Sequence, residues 1–95
     1  MNDRSLDSED SIHLPIDGVL DLHTFKPSDV GTLIDEFILA CLEKEIYHIK
    51  IIHGKGTGAL RKSVHHLLER NENVENFSLA GGRSGWGATV ARLIE

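Results

Sequence analysis

Ninety-five residues, 40% hydrophobic and 26% charged, describe one globular domain and leave no room for a second. A formal net charge of −5 argues against a protein that grips nucleic acid over its whole surface. One cysteine, Cys41, excludes an internal disulfide or a cysteine-based zinc framework, and the absence of any apolar run near ~18 residues excludes a membrane-spanning helix.

The chain opens on residues 1–11, which hold Asp, Glu and Ser with Leu6 as the only apolar residue after Met1. Such a stretch buries too little to offset its ordering entropy, so it reads as a disordered acidic tail, followed by a domain over 12–95. The polar start Met1-Asn2-Asp3-Arg4-Ser5 is unlike a secretory signal, and with the low thiol content it points to the cytoplasm. Asp17-Gly18 signals a turn, and Val19 to His23 reads as a first strand. Its alternation puts Leu20 and Leu22 on one face and Asp21 and His23 on the other. Pro27 suits the first position of a helix. Val30, Leu33, Ile34, Phe37, Ile38 and Cys41 then repeat at helical spacing, with an end expected near Glu45. Cys41 falls inside that stripe and reads as a buried structural thiol.

Ile49 to His53 is the second strand, rich in β-branched residues. The turn His53-Gly54-Lys55-Gly56-Thr57-Gly58 follows at once. Leu60, Val64, Leu67 and Leu68 then form a second helical stripe, with Arg61, Lys62, His65 and His66 off it. On that spacing His65 and His66 form a solvated pair on the outer face. Asn71 and Asn73 close the helix. Phe77 to Ala80 is a short third strand, Gly81 to Gly87 a second glycine-rich loop, and Ala88 to Ile94 the fourth strand. The order βαβαββ implies parallel strands one to three, because strand–helix–strand units are almost always right-handed. Their carboxyl ends share one sheet edge, where open α/β sheets bind ligands.

Two constellations reach that edge. In the turn, glycines at every second position let the backbone bend tightly and approach a ligand closely. The turn runs into a helix amino end, which favours an anion, and Lys55 adds a full charge while Thr57 can cap the helix. Neither a Walker A motif nor GxGxxG is present. Asp21 and His23 share a strand face at i, i+2, a spacing suited to acid–base work or to part of a divalent-metal site. Trp86, within the loop that holds Arg83, Gly85 and Gly87, could stack on a base. His13 and His48 have no recognisable partner and read as structural or surface residues.

Leu20-Asp21-Leu22-His23, His53-Gly54-Lys55-Gly56-Thr57-Gly58 and Gly85-Trp86-Gly87-Ala88-Thr89-Val90 resemble, in order, the three signature segments of the small MutS-related (Smr) domain. The resemblance covers about residues 17–95. It implies a two-layer α/β fold like the C-terminal domain of translation initiation factor three. That fold is a βαβαββ sandwich with two helices and a four-stranded mixed sheet whose last strand is antiparallel. It also implies DNA-nicking endonuclease activity, or RNA cleavage, linked to DNA repair. Its implicated residues fall on Asp21, His23, His53, Lys55 with the adjoining glycines Gly54, Gly56 and Gly58, and Gly85 and Gly87. Thr24 stands where the family usually carries glycine. Either the backbone differs there, or a hydroxyl replaces a close backbone contact.

The expectation is therefore a nucleic-acid-binding domain that hydrolyses phosphodiesters in DNA or RNA. Lys55 and the Gly54–Gly58 amides would hold the phosphate. His23, oriented by Asp21, would be general base or, with Asp21, would bind Mg²⁺ or Mn²⁺. His53 is the other acid–base candidate, and Arg61, Arg83 and Trp86 would extend the contact. The alternatives are a non-catalytic nucleic-acid module using the same phosphate site, and a protein-interaction domain that binds an acidic segment. The net charge does not weigh against the first two. Residues 1–49 carry a net of −8, while residues 50–95 carry +3 and include Lys55, Arg61 and Arg83.

Overall fold

Leu20 and Leu22 are buried, whereas Val19, Asp21 and His23 are exposed, as their alternation requires. They belong to a computed structural model that describes residues 17–54, 58–81 and 87–95. The expected tail over 1–11 lies outside the described residues. Strand β1 (Val19–Asp21) is shorter than the sequence suggests. The Leu22 amide still donates to Ile52 O at 2.8 Å, but the chain then turns, with Phe25 N–H on Leu22 O at 3.0 Å. Asp21 causes the turn, because its Oδ1 accepts the backbone N–H of His23 at 3.0 Å. A short polar side chain that bonds the amide two residues on competes with the strand ladder.

A single 3₁₀ turn (Pro27–Asp29) leads into helix α1 (Val30–Glu43). The helix buries Val30, Ile34, Phe37, Ile38 and Cys41, the stripe read from spacing. Burial pushes the Cys41 thiol up, so it stays protonated and inert. The helix closes on a Schellman pattern: Ile46 N–H reaches Cys41 O at 2.8 Å and Glu45 N–H reaches Leu42 O at 3.0 Å. The left-handed residue of that cap is Glu45, with φ +59°, in the place glycine usually takes.

Strand β2 (His48–Ile52) pairs parallel with β1, with Leu20 opposite Ile51. Helix α2 (Ala59–Arg70) follows and buries Val64 and Leu68. Strand β3 (Val74–Leu79) begins three residues earlier than expected. Glu75 and Asn76 hide it in the sequence, because the strand is an edge and is bulged between Val74 and Asn76. Strand β4 (Ala88–Leu93) lies between β2 and β3, antiparallel to both, which gives the order β1-β2-β4-β3. Strands β1, β2 and β3 thus point the same way, as the helical crossovers require.

The fold is the expected two-layer α/β arrangement: a four-stranded mixed sheet with two helices. Leu20, Leu22, Ile49, Ile51, Ala91 and Leu93 join the α1 and α2 stripes in one core. The opposite sheet face, with Val19, Lys50, Val90 and Arg92, frames an open hollow of about 400 Å³. His48, on that side, accepts a 2.9 Å bond from Arg92.

The strained cap generates a prediction. Glu45→Gly removes a left-handed penalty of about 1–2 kcal/mol and restores part of it as unfolded-state entropy. Stability should rise by about 0.5–1 kcal/mol and the melting midpoint by about 2–8 °C. A thermal melt that falls instead would show that the Glu45 side chain contributes more than its backbone strain removes.

Candidate functional site

The carboxyl ends of β1, β2 and β3 and the amino end of β4 meet at one edge. There Asp21 Oδ1 accepts both the backbone N–H and the ring Nδ1–H of His23, the latter at 2.6 Å. These hydrogen bonds, backbone first, hold the Asp21 carboxyl below its usual range. A carboxylate so placed fixes the imidazole in the Nδ1–H form, so Nε2 carries the lone pair. The His23 side chain is 67% exposed, and no partner meets Nε2 among the described residues. Thr24 beside it has no positive φ, so threonine bears no backbone strain at this position.

The glycine-rich turn leaves β2 through His53 and Gly54. Both of their amides donate to one acceptor, Gly87 O, at 3.0 and 2.8 Å. The second and third signature segments are thereby joined through the backbone. Gly54 has φ +83° and Gly58 has φ +88°, conformations other residues rarely hold. Gly58 caps α2 with no side-chain hydrogen bond. A Cβ there would lie 3.0 Å from Arg61 Nη2, so the guanidinium folds back over the positive end of its own helix. His53, Gly54, Gly58, Arg61 and Pro27 line a cleft of about 300 Å³. Lys55, Gly56 and Thr57, and likewise Arg83, Gly85 and Trp86, lie outside the described residues.

His53 is 5% exposed, and both of its ring nitrogens are engaged. Nδ1–H donates to Gly54 O at 3.0 Å, and Nε2 lies 2.8 Å from Thr89 Oγ. Thr89 Oγ also lies 2.7 Å from His65 Nε2. His65 therefore does not belong to a solvated pair. Its ring turns inward and packs on Phe77, with centroids 5.0 Å apart. Only His66 stays outside, 3.4 Å from Arg70 Nη1. The spacing was misleading because His65 flanks the buried Val64 and Leu68, and a helix packed on a sheet covers such flanking positions too. Thr89 was missed as a polar centre because threonine is an ordinary strand residue. Its alternation with Ala91 and Leu93 was the available signal, since it places a hydroxyl on the core face.

Asp21 and His23, whose spacing suits acid–base work or part of a divalent-metal site, bond to each other. Among the described residues no group of three or more His, Cys, Asp or Glu side chains gathers to hold an ion. No helix among the described residues is long and apolar enough to cross a membrane.

The mixed sheet under two helices, with its signature segments meeting at one edge, defines a small α/β domain of the Smr class. The chain belongs to the Smr domain family, whose profile matches residues 20–94. It is 44% identical over 75 residues to an endonuclease MutS2 of Brevibacillus brevis, covering 78% of this chain and 10% of that protein. It is 46% identical over 67 residues to the endonuclease MutS2 of Symbiobacterium thermophilum, covering 70% of this chain and 8% of that protein. The chain thus spans about a tenth of the length of these curated relatives. The crystal structure of the Smr domain of Thermus thermophilus MutS2 superposes with a TM-score of 0.77 at 31% identity, covering 81% of this chain and 98% of that one. YdaL, a stand-alone small MutS-related protein from Escherichia coli, shares the fold with a TM-score of 0.76 at 24% identity, over 82% of this chain and 65% of its own.

Burial lowers the pKa of His65 from 6.5, and the positive charge of Arg61 acts in the same direction. The unfolded chain then binds the proton more readily than the folded one. The His65 contribution to stability is complete above pH 6.5 and is lost as pH falls from there to the lowered folded value. Urea midpoints measured from pH 7.5 to 5.5 should fall more steeply for the parent chain than for His65→Gln. Equal slopes would show that His65 does not titrate in this window.

Proposed function

We propose that this domain binds nucleic acid at the β-strand carboxyl edge and nicks DNA by hydrolysing a phosphodiester. The observation that carries the reading is the exposed Asp21–His23 pair, whose Nε2 meets no partner among the described residues, on the edge where Gly58 and Arg61 present positive charge. A phosphate in the cleft would meet the α2 amino end and the Arg61 guanidinium. Lys55, inside the turn, supplies a further charge. His23 Nε2 would accept the proton of the attacking water, and Asp21 would stabilise the imidazolium that forms. His53, with both nitrogens engaged, would hold the turn instead of exchanging protons with substrate. Membership in the Smr family and the endonuclease relatives support this assignment.

The test incubates the protein with supercoiled plasmid and with labelled RNA, with and without Mg²⁺ or Mn²⁺. His23→Ala should lower nicking by about 10²–10⁴-fold while leaving plasmid binding in place. Asp21→Asn should fall in between. Lys55→Ala should weaken binding roughly tenfold with little change in melting temperature. Contact with about two or three phosphates should give a log–log salt slope near −2 to −3, far shallower than that of a basic protein. Cleavage confined to RNA would redirect the substrate assignment. Cleavage unchanged in all three variants would remove the site, and salt-sensitive binding without cleavage would favour a non-catalytic nucleic-acid module.

A further inference from the structure

Thr89 is fully buried on β4, and its hydroxyl stands between two imidazoles that the proposed reaction does not use as proton carriers. The proton count along this line is constrained. Gly54 O can only accept, so His53 Nδ1 carries a hydrogen. With His53 neutral, its Nε2 is an acceptor and takes the single hydroxyl proton of Thr89. Thr89 Oγ then accepts from His65, so the His65 hydrogen is on Nε2. The three bonds run one way, from α2 through β4 to the end of β2.

The line ends on Gly54, the first residue of the glycine-rich turn. Both peptide groups of Gly54 are thereby held, its N–H by Gly87 O and its own carbonyl by His53. Gly54 has no side chain to restrain it, its φ is +83°, and a Cβ there would meet nothing within 4 Å. Steric packing therefore does not fix this hinge, and the hydrogen bonds must. We propose that Thr89 and His65 are positioning residues of the phosphate site: they hold the His53 ring as a donor to Gly54, so that the turn leaves β2 in one direction. The role rests on the functional reading above only in what the turn is positioned for.

Nitrogen-15 spectra of the imidazole rings, without nucleic acid, read the line directly. At neutral pH His53 should show Nδ1–H and a bare Nε2, and His65 the reverse. Thr89→Val, close in shape but without the hydroxyl, should lose the fixed His53 tautomer and shift the Gly54 amide. Thr89→Ser should restore both. Binding of a short DNA duplex should weaken roughly tenfold in Thr89→Val and His65→Phe and recover in Thr89→Ser. Circular dichroism identifies any variant that has unfolded, and Thr89→Ser serves as the folded comparison. A bare Nδ1 on His53 in the parent chain would overturn the proposal, as would an unchanged His53 signal in folded Thr89→Val. If the parent chain binds no DNA, the functional reading fails, and the tautomer and the Gly54 amide still decide this one.

Discussion

The antiparallel insertion of β4 between β2 and β3 is the constraint from which the rest of the structure follows. Three strands deliver their carboxyl ends to one edge, and only a fourth strand running the other way can bring its beginning to the same place. Gly87 arrives there just before β4 and offers a single carbonyl to two amides of the glycine-rich turn. Two residues later Thr89 passes beneath the turn on the covered face. One register, Ile51 opposite Thr89 and Ile52 opposite Ala88, therefore sets both the backbone and the side-chain contacts of the site. A one-residue slip would turn Thr89 outward and break both.

The core that supports this edge is one-sided. Two helices cover one face of a four-stranded sheet, and a domain of this size works with a stability of only some 5–10 kcal/mol. Placing a hydroxyl and an imidazole inside such a core is costly unless every polar atom is paired. Here the pairing is continuous from His65 to Gly54. Asp21 and His23, by contrast, are joined in the open, where water can reach the ring nitrogen that meets no partner among the described residues. The same residue type thus serves two ends. His53 is buried with both ring nitrogens bonded, whereas the ring of His23 is exposed and bonded at one nitrogen among the described residues.

Much of this was legible in the sequence, for identifiable reasons. The apolar stripe from Val30 to Cys41 and the alternation around Leu20 and Leu22 mark the buried faces of α1 and β1 by their spacing alone. The Asp21–His23 pair could be read from its i, i+2 spacing, although the turn that follows Asp21, and not a continuing strand, closes the contact. The strand order could not be read, since βαβαββ does not say where the last strand enters. The start of β3 was obscured because an edge strand tolerates Glu75 and Asn76. His65 and Thr89 escaped for a deeper reason: each is unremarkable within its own element, and their relation spans 24 residues. Only the packing of α2 over β4 brings them together.

The direction of the strands also settles where the domain can be tethered. Val19 opens β1 and Leu93 closes β4 at the end of the sheet away from the Asp21–His23 pair, with Gly18 O and Tyr47 O bonded into the adjoining backbone. Covalent attachments at residue 17 or beyond 95 thus leave the molecule on the side opposite the site. Residue 17 and residue 95 stand at one end of the sheet and the Asp21–His23 pair at the other.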